Sequence, residues 1–279
     1  MIPAPFDYQR ASSVDEAIEL LRQHGDEAKL LAGGHSLLPL MKLRLAMPSV
    51  LIDIGGISDL SYVSELAADG GVLRIGALTR HHDLATSELV RDQVPLLAHV
   101  AGRIGDPQVR HRGTIGGSVV HGDPASDLPA ALLALRATLV VRGPSGERTI
   151  PADEFFTGFL ETAIAPDEVL TEIRVPAVPG VGWAFEKFNR RAQDWAIVGV
   201  AAVMTDGAGG PGVGLVNMGP QPLRAVGVEE ALRSGASPSE AAARADEGTD
   251  PPTDLNGSAE YRRHLVRVLT RRALETAGG

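Results

Sequence analysis

Two glycine pairs, Gly33-Gly34 and Gly116-Gly117, constrain this chain more than any other feature. The first sits in Ala32-Gly33-Gly34-His35-Ser36, between a short apolar segment and a helix-forming one. The second sits in Thr114-Ile115-Gly116-Gly117-Ser118. Paired glycines let backbone approach a ligand closely, and the start of a helix adds a partial positive charge. Together they suit a phosphate or pyrophosphate without Arg or Lys. A plain turn with Ser36 as a helix cap explains the first motif equally well. The second repeats its grammar and is followed by Asp123-Pro124-Ala125-Ser126-Asp127, where an acid stands at a helix start. Two such cradles and an acid for sugar hydroxyls favour a dinucleotide over two unrelated turns.

The rest of the pattern is read around these motifs. A capping box, Ser13 to Glu16, starts a helix that stops near Gly25. Strands over 29–32 and 50–54 and a helix over 37–45 complete a β-α-β-α-β opening. The next part predicts a hairpin of 62–66 with 72–78 around Asp69-Gly70-Gly71, helices near 84–90 and 96–104, and a helix ending at Leu135. A hairpin of 137–142 with 148–150 and a strand over 169–175 follow. Beyond Pro176-Ala177-Val178-Pro179-Gly180, three antiparallel strands (182–189, 196–205, 212–218) precede helices, the last with an apolar stripe of Leu265, Val268, Leu269 and Ala273. The expected units are 1–55, 56–177 and 178–279.

Composition narrows the function. Lys plus Arg is 26 against 35 Asp plus Glu, a net charge of −9, which disfavours nucleic-acid binding. There is no cysteine, which excludes disulfides, thiolate zinc sites and an iron–sulfur cluster bound by this chain. The longest apolar run, Ala130 to Val141, is interrupted by Arg136 and Thr138 and is too short to span a bilayer. Met1 to Arg10 has no signal-peptide pattern, so a cytoplasmic protein is expected. Gly207-Ala208-Gly209-Gly210-Pro211-Gly212 matches G-x-G-x-x-G by letter, but a strand follows it, so it reads as a hairpin tip. No P-loop and no G-x-S-x-G elbow occur. His81-His82-Asp83, His111 and His121 with Asp123 lack metal-site spacing, so no metal is expected.

The run A-G-G-H-S-L-L-P-L-M-K-L-R at Ala32 to Arg44 and R-G-T-I-G-G-S at Arg112 to Ser118 resemble one family. It comprises the FAD-binding medium subunits of aerobic carbon monoxide dehydrogenase and its relatives, the flavoprotein subunits of molybdenum hydroxylases such as xanthine dehydrogenase. The resemblance covers essentially the whole chain. It implies an α+β fold: a two-part FAD-binding domain of the vanillyl-alcohol-oxidase/xanthine-dehydrogenase type, then a small C-terminal domain with a three-stranded antiparallel sheet and helices. It implies that Ala32, Gly33, Gly34, His35, Ser36 and Leu37, with Thr114, Ile115, Gly116, Gly117 and Ser118, hold the FAD pyrophosphate through backbone N–H groups. Asp127 matches an acid that contacts the adenosine or ribityl portion. Ile104 and Leu170 match apolar cofactor-lining positions, Lys187 a cation near the flavin, and Trp195 an aromatic position against the isoalloxazine ring.

The function so implied is an electron-transfer subunit of an oxidoreductase, with no catalytic residue of its own. Its partners would be a large molybdenum-cofactor subunit and a small 2Fe-2S subunit in a dimer of heterotrimers, with an external electron acceptor. Two alternatives are a non-catalytic flavin-binding or assembly protein of the same fold and a stand-alone flavin oxidase.

Overall fold

The computed structural model describes residues 2–66, 71–207 and 209–278. The expected turn residues Asp69 and Gly70, and Ala208 of the letter-matched glycine run, lie outside the described residues.

The opening is the expected alternation. Strand β1 (Asp7–Arg10), helix α1 (Val14–His24), β2 (Ala28–Leu31), α2 (Leu37–Lys42) and β3 (Val50–Asp53) form a parallel sheet in the order β1-β3-β2. The apolar run of β3 is central, with Val50 opposite both Asp7 and Ala28. Ser13 caps α1 by accepting from the Glu16 amide, but the Glu16 carboxylate reaches the Ser12 amide at 2.7 Å rather than that of Ser13. Helix α2 is shorter than expected, and Ser36 makes no side-chain cap bond, because its own backbone is already helical.

The next part is a five-stranded antiparallel sheet flanked by short helices. It comprises β4 (Val63–Leu66), β5 (Val72–Gly76), α3 (His81–Thr86), α4 (Glu88–Gln93), α5 (Pro95–Gly102), α6 (Pro107–Arg112), α7 (Ile115–His121), α8 (Asp127–Ala134), β6 (Thr138–Gly143), β7 (Gly146–Pro151), α9 (Ala152–Phe155), the small pair β8 (Phe156–Gly158) and β9 (Glu161–Thr162), and β10 (Val169–Pro176). Its order is β4-β5-β10-β6-β7. The second glycine pair therefore lies inside a helix, α7, capped by Thr114, and not in an open loop.

The C-terminal sheet has four strands rather than three: β11 (Gly182–Phe188), β12 (Val198–Met204), β13 (Gly212–Val216) and the short β14 (Leu223–Arg224). The sequence β14 is two residues long and carries no alternation to betray it. Helices α10 (Val226–Arg233), α11 (Pro238–Ala242) and α12 (Ala259–Gly278) complete the chain. Val268 is only half-buried, and Val266 takes its place in the α12 stripe beside the fully buried Arg262.

The C-terminal sheet is covered on both faces. Ala184, Val200 and Leu215 join the α12 core, while Phe185, Ala201 and Val216 join the core built around α5 and α8. Helix α8 rides directly on β13. A Cβ at Gly212 or Gly214 would lie 2.0 Å from the Ala134 carbonyl oxygen or 1.9 Å from that of Ala130. Only glycine permits this approach, and it fixes the depth of α8, whose first residue is Asp127.

Candidate functional site

A cleft of about 650 Å³ runs between the two glycine motifs, within the usual range of cofactor pockets. It is lined by Ala32, Gly33, Gly34, His35, Ser36 and Leu37, by Ile104, Thr114, Gly116, Gly117 and Ser118, and by Asp127, Leu170, Lys187 and Trp195. Ile115 is the exception among the expected site residues. It is fully buried in the core at the first position of α7, and its amide donates to the Thr79 carbonyl at 3.0 Å.

The two motifs meet backbone to backbone. A Cβ on Gly33 would lie 2.3 Å from the Arg112 carbonyl oxygen. Gly34 has φ +79°, the left-handed conformation that favours glycine. Among the described residues, the amides of Gly33, Gly34, His35 and Ser36 find no acceptor within the chain. Four consecutive donors thus remain open where α2 begins. The second motif differs, and this corrects the expectation that both motifs present N–H groups. The Gly116 amide donates to the Ala77 carbonyl at 2.9 Å, the Gly117 amide to the Thr114 hydroxyl at 3.2 Å, and the Ser118 amide to the Thr114 carbonyl at 3.1 Å.

Asp127 and Lys187 form a buried ion pair, with Lys187 Nζ 2.6 Å from Asp127 Oδ2 and side chains 3% and 5% exposed. The strand explains the lysine. Trp183, Phe185 and Lys187 share one face of β11 by the two-residue period, and Trp183 and Phe185 pack in the core of the α5–α8 layer. Burial drives the Asp127 carboxyl above its ordinary range, and Lys187 and Arg103 pull the other way. Asp127 Oδ1 is buried without a partner among the described residues. A buried acceptor left open is costly unless a ligand fills it. Open amides and an open carboxylate oxygen bordering one cleft fit a cofactor bearing phosphates and hydroxyls. Leu170 is buried and Ile104 half-buried beside them, which supplies apolar wall.

Trp195 stands at the cleft mouth, 57% exposed, on the loop between β11 and β12. The His82 and His111 rings are in contact, tilted by 35° with centroids 4.1 Å apart. Among the described residues no His, Asp and Glu side chains gather as a metal site. The Gly209 and Pro211 carbonyls of the letter-matched glycine run accept from the Arg136 guanidinium, so this is a hairpin connection held from outside.

His81, which the sequence marks only as one of a tandem pair without metal-site spacing, lines the cleft. It is 4% exposed, lies under Gly113, and has Nδ1 without a partner among the described residues. Burial, aided by His35, Arg80 and Arg110, lowers its pKa to about 4, so it stays neutral. Its tandem neighbour was the only sequence signal.

Comparison with known proteins places both parts of the chain. Residues 4–178 match the model described as the FAD binding domain in molybdopterin dehydrogenase, and residues 183–277 that of the CO dehydrogenase flavoprotein C-terminal domain. The chain is 45% identical over 285 residues to the carbon monoxide dehydrogenase medium chain of Hydrogenophaga pseudoflava, covering 99% of this chain and 98% of that one. It is 40% identical over 285 residues to the medium chain from Afipia carboxidovorans, with the same coverage. The solved carbon monoxide dehydrogenase of Hydrogenophaga pseudoflava lacking the Mo-pyranopterin moiety superposes with a TM-score of 0.94 at 46% identity, covering 100% of this chain and 99% of that one. Among the described residues no helix is long and apolar enough to cross a membrane. Fold, cleft and full-length similarity agree: the chain belongs to the FAD-binding medium-subunit family of the carbon monoxide dehydrogenase-type molybdenum hydroxylases, the flavoprotein subunits of oxidoreductases.

Proposed function

We propose that this chain is the electron-transfer subunit of a molybdenum hydroxylase. In this reading a large molybdenum-cofactor subunit oxidises the substrate, and a small 2Fe-2S subunit delivers the electrons. The chain passes them to an external acceptor within a dimer of heterotrimers. The FAD, when bound, supplies the two-electron redox chemistry.

The observation that carries the reading is the convergence on one cleft of four open amides, Gly33 to Ser36, and the open Oδ1 of Asp127. The four amides would bind the pyrophosphate at the start of α2. Asp127 would accept from a sugar or ribityl hydroxyl, with Lys187 paired to its other oxygen and holding the carboxyl in place. Ile104 and Leu170 exclude water from the wall, and Trp195 covers one face of the ring system at the mouth. Thr114 and Ser118 offer hydroxyls rather than amides on the opposite side. No residue of the chain is assigned a proton-transfer step.

The test uses purified chain and the reconstituted complex. The desalted chain should keep flavin absorbance in near-stoichiometric amount. Substrate should bleach that absorbance only when both partner subunits are present. A colourless chain, or bleaching by substrate without the partners, would overturn the assignment.

A further inference from the structure

Trp195 and Asp194 also line a second cleft of about 720 Å³, whose wall includes Asn217. Asn217 directly follows β13 and has φ +60°, a left-handed conformation that asparagine tolerates better than most residues. Its amide donates to the Pro124 carbonyl at 2.7 Å. Pro124 belongs to the turn that leads into α8, in which Asp123 accepts from the Ala125 amide at 2.8 Å. On its other side, Asn217 Nδ2 donates to the Ala196 carbonyl at 3.0 Å and lies 3.4 Å from that of Ile197. Ala196 is the residue after Trp195.

One residue therefore joins the turn before Asp127, through its backbone N–H, to the loop that carries Trp195, through its carboxamide. Among the described residues, the other bonds from the loop to the rest of the chain lie at its base. The Ile197 amide donates to the Phe188 carbonyl at 2.8 Å, and the Ile197 carbonyl accepts from the fully buried Arg262 at 2.5 Å. Residue 196, the last before the ring, depends on the Asn217 carboxamide.

We infer that Asn217 is a positioning residue, whose carboxamide holds the Trp195 loop in register with the start of α8 and so sets where the ring stands over the cofactor cleft. Its significance for the flavin rests on the function proposed above; the mechanical link does not. Asparagine meets two demands at once, a left-handed backbone and a side-chain donor. Aspartate meets the first but presents oxygens to the Ala196 carbonyl, and glycine meets the first with no side chain.

The test compares Asn217→Asp and Asn217→Gly with the unaltered full chain. Arg190 and Arg191 are exposed on the same loop and report its opening as trypsin sites. In cofactor-free protein, both variants should be nicked there about threefold to tenfold faster, the factor expected from one net hydrogen bond, while the thermal midpoint changes little. In a Trp183→Phe background, FAD should quench Trp195 fluorescence in the unaltered chain and quench it less in both variants. Nicking at the unaltered rate in both variants would overturn the inference whatever happens with FAD. Failure of the unaltered chain to bind FAD would instead sink the functional reading and leave the nicking rates to decide the role of Asn217. Should Asn217→Asp fail to fold, Asn217→Gly alone decides.

Discussion

The Gly33–Ser36 loop and the Thr114–Ser118 turn share one grammar of glycine pair and hydroxyl, yet their amides end up in opposite states. The first loop leaves four donors open toward the cleft. The second spends the donors of Ile115, Gly116, Gly117 and Ser118 on Thr79, Ala77 and Thr114. In the second motif glycine serves approach: a Cβ on Gly116 would lie 2.6 Å from the Ala77 carbonyl oxygen and 2.7 Å from the Ala77 Cβ. Gly33 serves the joint between them, facing Arg112, and Gly34 serves the left-handed turn. A glycine pair thus announces close backbone contact, and only the acceptors around it decide whether the contact is with a ligand or with the chain.

The largest effect that could break this division comes from Gly116→Ala against Gly34→Ala. Backbone faces Gly116, so nothing there can move aside, and overpacking of this kind costs about 3 kcal/mol. The cofactor-free midpoint should fall by about 5–10 °C. Gly34→Ala meets the end of the exposed Leu38 side chain, which can swing away, so the cost is the left-handed backbone alone, about 1 kcal/mol. That variant should stay folded and bind FAD about tenfold more weakly as its donors turn. Calorimetry and FAD titration of both variants decide. A midpoint that collapses in Gly34→Ala while Gly116→Ala loses only FAD would reverse the two roles.

A second feature is that the Gly113 turn leading into the second motif packs on a buried histidine, whose amide donates to the Gly113 carbonyl at 3.1 Å. His81 stays neutral in the fold, with its pKa lowered to about 4 from an ordinary value near 6.5. Below pH about 6.5 the unfolded chain takes up a proton that the folded chain refuses, so stability falls with pH through this window and levels off near 4. The full difference approaches about 3 kcal/mol at one pKa unit per 1.36 kcal/mol. His81→Gln should flatten that slope relative to the unaltered chain in urea melts at pH 4 to 7. Parallel slopes in the two proteins would remove His81 from the support of the turn.

Much of this was legible in the sequence. The β-α-β-α-β opening and the hairpin strands of β4 with β5 follow from short-range spacing and stop signals, as does the long α12. Both glycine motifs line the cleft, as does every other expected site residue except Ile115. What escaped is non-local. The acceptors of the second motif, Ala77 and Thr79, lie far upstream, and no local pattern shows that they come within reach. Asp127 and Lys187 were chosen separately by resemblance, but their pairing across 60 residues required the fold. Helix α7 was hidden because its glycines read as loop; Thr114 caps it, and Ile115 and Val119 bury its inner side. Arg262 was hidden because a charged residue in an apolar stripe reads as an interruption, whereas here it is the fully buried donor to the Ile197 carbonyl.

The smallest effect sharpens the comparison furthest. If the open amides of the first loop carry the anchoring, Trp195 contributes only its ring face. It is 57% exposed on a loop, so it brings neither a buried hydrogen bond nor a deep apolar wall. Aromatic stacking beyond area burial amounts to about 0.5–1.5 kcal/mol, which is roughly a twofold to twelvefold change in affinity. Trp195→Ala should therefore weaken FAD binding within that range, and Trp195→Phe by less, because part of the face remains. Removing the cover should also admit oxygen, so the reduced protein should reoxidise faster in Trp195→Ala, read by stopped-flow absorbance. Complete loss of FAD from Trp195→Ala would mean that the ring, not the Gly33–Ser36 loop, anchors the cofactor, and the contrast between the two glycine motifs would lose its functional meaning. Unchanged affinity together with an unchanged reoxidation rate would make Trp195 a surface residue of the loop, leaving the amides and Asp127 as the whole of the cofactor's hold.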